Sequence, residues 1–192
     1  MIYIISHLPY IRYSIPVEHK IIRSDLTGMA DYWKECRGIK AILSIDHSDE
    51  EEIGNFQYRR YLNWFGRIPD GYDCIGGKPF FTAFKPYDQY VRWHHLSDIA
   101  IIEHLVNDES FSRWLHTYQL PCYDSMFIMK KDLWIECFSW AMGILEQWDR
   151  HPDRSHDTGY QSQAPGFLLE RLTGWWTSRL NILKVDRIEL NK

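Results

Sequence analysis

The sequence predicts an α/β fold: a mixed, mainly parallel sheet flanked by helices, in one domain spanning residues 1–192. Three observations carry that reading. Short runs rich in β-branched and aromatic residues ("MIYIIS", "KAILSI", "IGNFQYRRY") alternate with longer segments whose apolar residues recur every three to four positions. A length of 192 residues suits a single sizeable core. Neither an internal repeat nor a linker-like change of composition divides the chain.

Each element follows from local pattern. "MIYIIS" reads as a buried first strand, stopped at "HLPY" by Pro9. "DLTGMADYWKECRG" reads as a helix capped by Asp25 and closed by Gly38, with "KAILSI" a second buried strand. "DHSDEEE" is an acidic loop, "IGNFQYRRY" a strand and "YDCIGG" a short strand before "KPFFTAF". "YDQYVRWHHLSDIAIIEHLVND" is helical in its second half, and "SFSRWLHTY" is a short helix. "SMFIMKK" is strand-like. In the helix that Asp132 opens, Leu133, Cys137, Ala141, Ile144, Leu145 and Trp148 share one stripe. The polar "DRHPDRSHDTGYQSQ" is a loop. Pro165 sits in the first turn of a helix with Phe167, Leu168, Leu172, Trp175 and Trp176 on its apolar face, and "ILKVDRIEL" ends the chain as a strand.

Composition narrows the function. A formal net charge of −4 offers no overall basic footprint for duplex nucleic acid. No apolar run is long enough for a transmembrane segment and "MIYIISHLPY" lacks the charged start of a signal peptide, so the expected location is cytoplasmic. Cys36, Cys74, Cys122 and Cys137 are scattered, which reads as buried thiols rather than a disulfide frame or a zinc site. Nine Trp and twelve Tyr suit a packed core and equally suit stacking against a sugar or base.

In open α/β sheets ligands bind outside the carboxyl ends of the strands. Two polar clusters fall there, His7 after the first strand and Tyr58-Arg59-Arg60-Tyr61 after a central one. Guanidinium groups present a planar fork of donors that suits phosphate. The arginines are therefore candidates for holding a diphosphate, weighed evenly against a structural pairing with Glu50, Glu51 and Glu52. Neither a Walker-type loop nor G-x-G-x-x-G occurs. His94 and His95 are adjacent and make a poor chelating pair; His116, His151 and His156 show no ligand spacing, and no residues are assigned to a metal. "DHSDEEE" could take a hard cation through oxygen, but such runs are more often solvated loops. Glu170, near the start of the last helix, is a candidate general base against the bland reading of an exposed carboxylate. Asp124 is a weaker catalytic candidate.

Six blocks, "HLPY", "LTGMADYWK", "IGNFQYRRYL", "YDQYVRWHH", "YDSMFIMKKDLW" and "GFLLERLTGWW", occur in an order that resembles a bacterial family of small glycosyltransferases. That family serves capsular polysaccharide and O-antigen synthesis and was long catalogued as a domain of unknown function. Its typical blocks include H-Y-R-R-Y, E-Q-Y-x-x-x-H, M-F-I-M-K-K and G-F-L-x-E-R-L. The resemblance covers nearly the whole chain.

The resemblance implies a GT-A-like fold and transfer of a hexosyl or pentosyl group from a nucleotide-sugar donor, of UDP-hexose type, to a glycan or lipid-linked glycan acceptor. In that fold a metal-binding D-x-D usually follows a central strand. Here the arginine motif takes that place, so no cofactor is required, with a divalent cation (Mn²⁺ or Mg²⁺) the alternative. It further implies donor binding by His7, Tyr10, Tyr58, Arg59, Arg60 and Arg171, acceptor binding by Gln89, Tyr90 and His94, and a catalytic role for Glu170. Pro9, Trp33, Tyr61, Met126 and Phe127 also match. Gln57 and Ser125 depart from the family's His and Asn. They leave two alternatives open: a viral enzyme glycosylating a modified DNA base in an infected host cytoplasm, and a non-catalytic glycan-binding relative. A capsule or O-antigen enzyme would work in the cytoplasm or at the inner face of the inner membrane.

Overall fold

The structure is a computed structural model that describes residues 1–6, 18–24, 33–57, 59–78, 85–117, 124–155 and 163–189. In chain order the elements are β1 (Ile2–Ser6), β2 (His19–Arg23), α1 (Lys34–Leu43), β3 (Glu52–Gln57), β4 (Arg60–Leu62) and β5 (Cys74–Gly77). Then follow α2 (Pro86–Trp93), α3 (Leu96–Val106), α4 (Glu109–Leu115), β6 (Phe127–Lys130), α5 (Lys131–Asp149), α6 (Ala164–Thr177), β7 (Ile182–Val185) and β8 (Arg187–Glu189).

Six strands lie in the order β2-β1-β3-β6-β5-β7. β1 is parallel to β2 and β3, and β5 to β7, while β6 runs antiparallel to both neighbours. The sheet is thus parallel apart from one reversed strand, with β4 and β8 as an antiparallel pair beside β3.

The two-residue period of a strand sorts side chains to opposite faces. Tyr3 and Ile5 of β1, Ile53 of β3, Phe127 and Met129 of β6 and Cys74 of β5 face one core. Ile4, Phe56, Ile128 and Ile75, the alternating positions, face the other. All six helices contribute to the first core: Cys36, Tyr90, Ile99, Phe111, Trp134 and Leu168 are buried there, one from each. The second core is closed by Tyr61 and Leu62 of β4, with Trp64, Ile68 and Ile188 against them. Among the described residues the helices that flank the sheet therefore pack on one face.

Several elements differ from sequence expectation. α1 continues through Gly38 to Leu43, so "KAIL" is its last turn and not a strand. Ile39 and Ile42 are both buried on one helix face, and a short apolar run of this kind reads equally as buried helix or buried strand. Gly38 does not end the helix. It lets α1 lie close on β1, since a Cβ there would sit 2.4 Å from Ile5 Cγ2. "IGNFQYRRY" is two strands joined by a hairpin, with Gln57 in register with Arg60. The first half of "YDQYVRWHHLSDIAIIEHLVND" is helical too, as α2, and "ILKVDRIEL" divides into β7 and β8. The Asp25 cap and most of "KPFFTAF" lie outside the described residues, as does Cys122, while Cys36, Cys74 and Cys137 are buried free thiols. Among the described residues no helix is long and apolar enough to cross a membrane.

Gly38→Ala should lower the unfolding free energy by about 1–3 kcal/mol through overpacking, despite alanine's helix propensity advantage of about 1 kcal/mol. Urea denaturation checks this. Adding Ile5→Ala should leave the double variant less destabilised than the sum of the two singles.

Candidate active site

The parallel strands β1, β2, β3, β5 and β7 all point their carboxyl ends at one edge of the sheet, where the reversed β6 begins. α1 and α6 begin on that side too, because each leads back to a parallel strand. Three carboxyl groups meet there from three elements.

The first is Asp124, which immediately precedes β6. It accepts a hydrogen bond from Arg187 Nη1 at the start of β8, and both side chains are at least nineteen-twentieths buried, with relative exposures of 2% and 5%. Gly77 makes room for the pair: a Cβ there would lie 2.9 Å from Arg187 Cδ and 3.3 Å from Asp124 Oδ1. Asp124 Oδ1 itself has no donor among the described residues. Burial raises the Asp124 carboxyl above its ordinary range, opposed by Arg187 and then Arg60.

The second is Glu170, seven residues into α6 and one turn beyond the reach of the helix dipole. It is no surface carboxylate: 19% of its side chain is exposed. Its Oε2 accepts from Arg171 Nη1 at 2.9 Å. Burial pushes the Glu170 carboxyl up to about 8. Arg171 and Arg60 oppose the rise, and the charges of Glu35 and Asp124 reinforce it. A carboxyl with some access to solvent and a pKa near neutrality can take up a proton at working pH.

The third, Glu35, was not singled out by the sequence. It lies in the first turn of α1, and its Oε2 accepts from Gln57 Nε2 at 2.5 Å. Burial raises its carboxyl, while Arg60 and Arg59 pull it back. The residue before it, Lys34, has φ of 41°, a left-handed conformation that is strained for a residue with a side chain.

The arginines of the hairpin face this cluster. β3 ends at Gln57, Arg59 lies in the turn and Arg60 opens β4, with its Nε 3.5 Å from Glu189 Oε1. Both guanidinium groups act on Glu35, and Arg60 also acts on Glu170 and Asp124. The acidic run lies at the other end of β3, about 17 Å away at strand rise. Glu50 meets the Met1 amine there, Glu51 meets Arg67, and Glu52 accepts from the Ile68 amide. The acidic run is thus taken up by other partners, while the charges of Arg59 and Arg60 act on the site carboxyls.

The remaining sequence candidates divide. Arg171 is 3% exposed and donates to Glu170, to the Phe167 carbonyl and to Gln89 Oε1. Tyr90 is fully buried, with the Arg171 guanidinium 5.5 Å from its ring. Burial, and after it the charge of Asp98, holds the Tyr90 phenol well above its ordinary range. His94 packs on Phe167, ring centres 4.0 Å apart. Gln89, Tyr90 and His94 thus support Arg171 and α6. His7, Tyr10 and Tyr58 lie outside the described residues. No three His, Cys, Asp or Glu among the described residues are placed to hold a metal ion. The turn after β3 and the start of β4 present Arg59 and Arg60.

Comparison with known proteins bears on the family and the fold. The profile of a domain of unknown function, DUF4422, matches residues 23–181. No curated protein matches. The apo structure of the WbbM bifunctional glycosyltransferase superposes with a TM-score of 0.75 at 16% identity. The match covers the whole of this chain and 45% of that one, so this chain spans less than half of its length. The shared fold is the GT-A-like arrangement.

A raised carboxyl destabilises the native state as it ionises. The Glu170 contribution is fully present below the unfolded value near 4.5 and is lost as pH rises through about 8. Between pH 5 and 9 the melting temperature of Glu170→Gln should therefore gain on the parent by several degrees. A difference that stays constant across this range would show that Glu170 titrates normally.

Proposed function

The chain belongs to the DUF4422 family, and from that premise we propose that it is a glycosyltransferase using a nucleotide-sugar donor of UDP-hexose type. The acceptor is the hydroxyl of a glycan or lipid-linked glycan, in capsule or O-antigen synthesis at the cytoplasmic side of the inner membrane. One observation carries the reading. The charge of Arg60 acts on a partly reachable carboxyl, Glu170, and Arg59 and Arg60 both act on Glu35 beside it, at the carboxyl end of the strands. Cation next to base is what transfer from a diphosphate to a hydroxyl requires.

In this reading the acceptor oxygen gives its proton to Glu170 and attacks the anomeric carbon. The bond from that carbon to the diphosphate oxygen breaks, and the nucleoside diphosphate leaves with the bonding pair. Arg59 and Arg60 meet the growing charge on the leaving group. Arg60 also pairs with Glu189, which is half exposed, across 3.5 Å. Asp124, sealed behind Arg187, keeps that guanidinium in place at the floor of the site. Arg171 holds Glu170 and keeps part of it ionised. His7, Tyr10 and Tyr58 complete the donor side, and Gln89, Tyr90 and His94 set the acceptor side by supporting α6.

A charge-assisted hydrogen bond to phosphate is worth about 1.5–3 kcal/mol, roughly tenfold to a hundredfold in affinity. Calorimetric titration of Arg59→Ala and Arg60→Ala should show nucleoside diphosphate binding weakened by about that factor, with the bare nucleoside unaffected. Glu170→Gln should keep donor affinity and lose about a hundredfold or more in turnover. Parent-like diphosphate binding by both arginine variants would remove the phosphate role of the motif.

A further inference from the structure

Glu35 stands apart from the proposed mechanism, yet several independent features converge on it. Its Oε2 is held by Gln57 at the end of β3, the strand that leads into the arginine hairpin. Its Oε1 lies against α6: a Cβ built on Gly166 would be 3.5 Å from it. Gly166 and Glu170 are four residues apart on one helix face, about 6 Å along the axis. The backbone immediately before Glu35 is left-handed at Lys34. We propose that Glu35 is a positioning residue that shares the protons of the site with Glu170 and so decides when Glu170 can accept one from a sugar hydroxyl. This rests on the glycosyl-transfer reading for its consequence, not for the coupling itself.

The physical argument is like-charge repulsion between two carboxyls with little water between them. While Glu35 is ionised, Glu170 holds its proton to higher pH; while Glu35 is neutral, Glu170 gives it up sooner. The groups that face Glu35 are Arg59, Arg60 and Gln57 from the hairpin, Asp124 from before β6, Glu170 from α6, and Cys36 beside it on α1. Those acting on Glu170 are Arg171, Glu35, Asp124 and Arg60. The two carboxyls therefore titrate as a pair, with steps belonging to both. A purely structural role is also conceivable on chemical grounds. α6 has no acidic residue in its first turn and no side-chain cap, and Glu35 would supply the missing negative charge.

The test separates these. Side-chain carboxyl signals are followed by ¹³C NMR against pH in the parent and in Glu35→Gln, the Glu170 signal being assigned by its loss in Glu170→Gln. Glutamine keeps the shape and an acceptor for Gln57. The expected result is that Glu170 titrates lower by about half a pH unit or more in Glu35→Gln. The acid limb of donor hydrolysis should move with it. Gln57→Leu, which frees the Glu35 carboxyl from its donor and favours its neutral form, should shift Glu170 in the same direction by less, and serves if Glu35→Gln does not fold. An unchanged Glu170 titration, with only the melting temperature lowered, overturns the proposal in favour of the helix-charge role. A shifted titration in a protein that hydrolyses no nucleotide sugar upholds the coupling and overturns the glycosyl-transfer reading instead.

Discussion

Carboxylates taken out of water must be matched by donors, and the architecture at the functional edge follows from that requirement. Removing one partner of a buried ion pair costs roughly 3–5 kcal/mol. Asp124 with Arg187 joins the approach to β6 to the start of β8. Glu170 with Arg171, and Arg171 with Gln89, join α6 to α2. Glu35 with Gln57 joins α1 to β3. Apart from the adjacent Glu170 and Arg171, each match is also a tertiary tie between segments far apart in the chain. The polar site and the fixing of the helices onto the sheet are one arrangement.

The reversed strand makes this convergence geometrically available. In a purely parallel sheet every strand offers its carboxyl end to the site. Here β6 offers its amino end, so Asp124 and Ser125 stand at the carboxyl ends of β3 and β5. Asn55, inside β3, secures the reversal. Its amide donates to the Ser125 carbonyl and accepts from Trp134 Nε1 at 2.9 Å, joining β3, the start of β6 and α5. A buried amide with both ends satisfied specifies one arrangement more sharply than an apolar contact would.

Much of this was legible in the sequence where a local signal had one meaning. The stripe of α5 was readable because Cys137, Ala141, Leu145 and Trp148 repeat over many turns, and all are buried. Pro165 marked the start of α6 correctly. Gly38 misled because glycine permits both a helix end and close packing, and nothing local distinguishes them. Glu170 and the arginines were visible as charges beside apolar runs. Glu35 was not: inside "WKECRG" it looks like any acidic residue in a first helical turn, and only the fold brings Gln57 and Gly166 to it. Arg187 was hidden in the same way, within a run read as a single strand.

The order of pairing in the sheet has a consequence for how the protein is made. Asn55 is in register with Phe127, and Cys74 with Ile182. β5, a short strand with two glycines, has no parallel neighbour until residues beyond 181 are available, and distant pairings of this kind close slowly. While those residues are missing, β5 keeps an open strand edge, a state prone to association with other chains. Until Arg187 docks, a buried Asp124 lacks the guanidinium that opposes the effect of burial on its carboxyl.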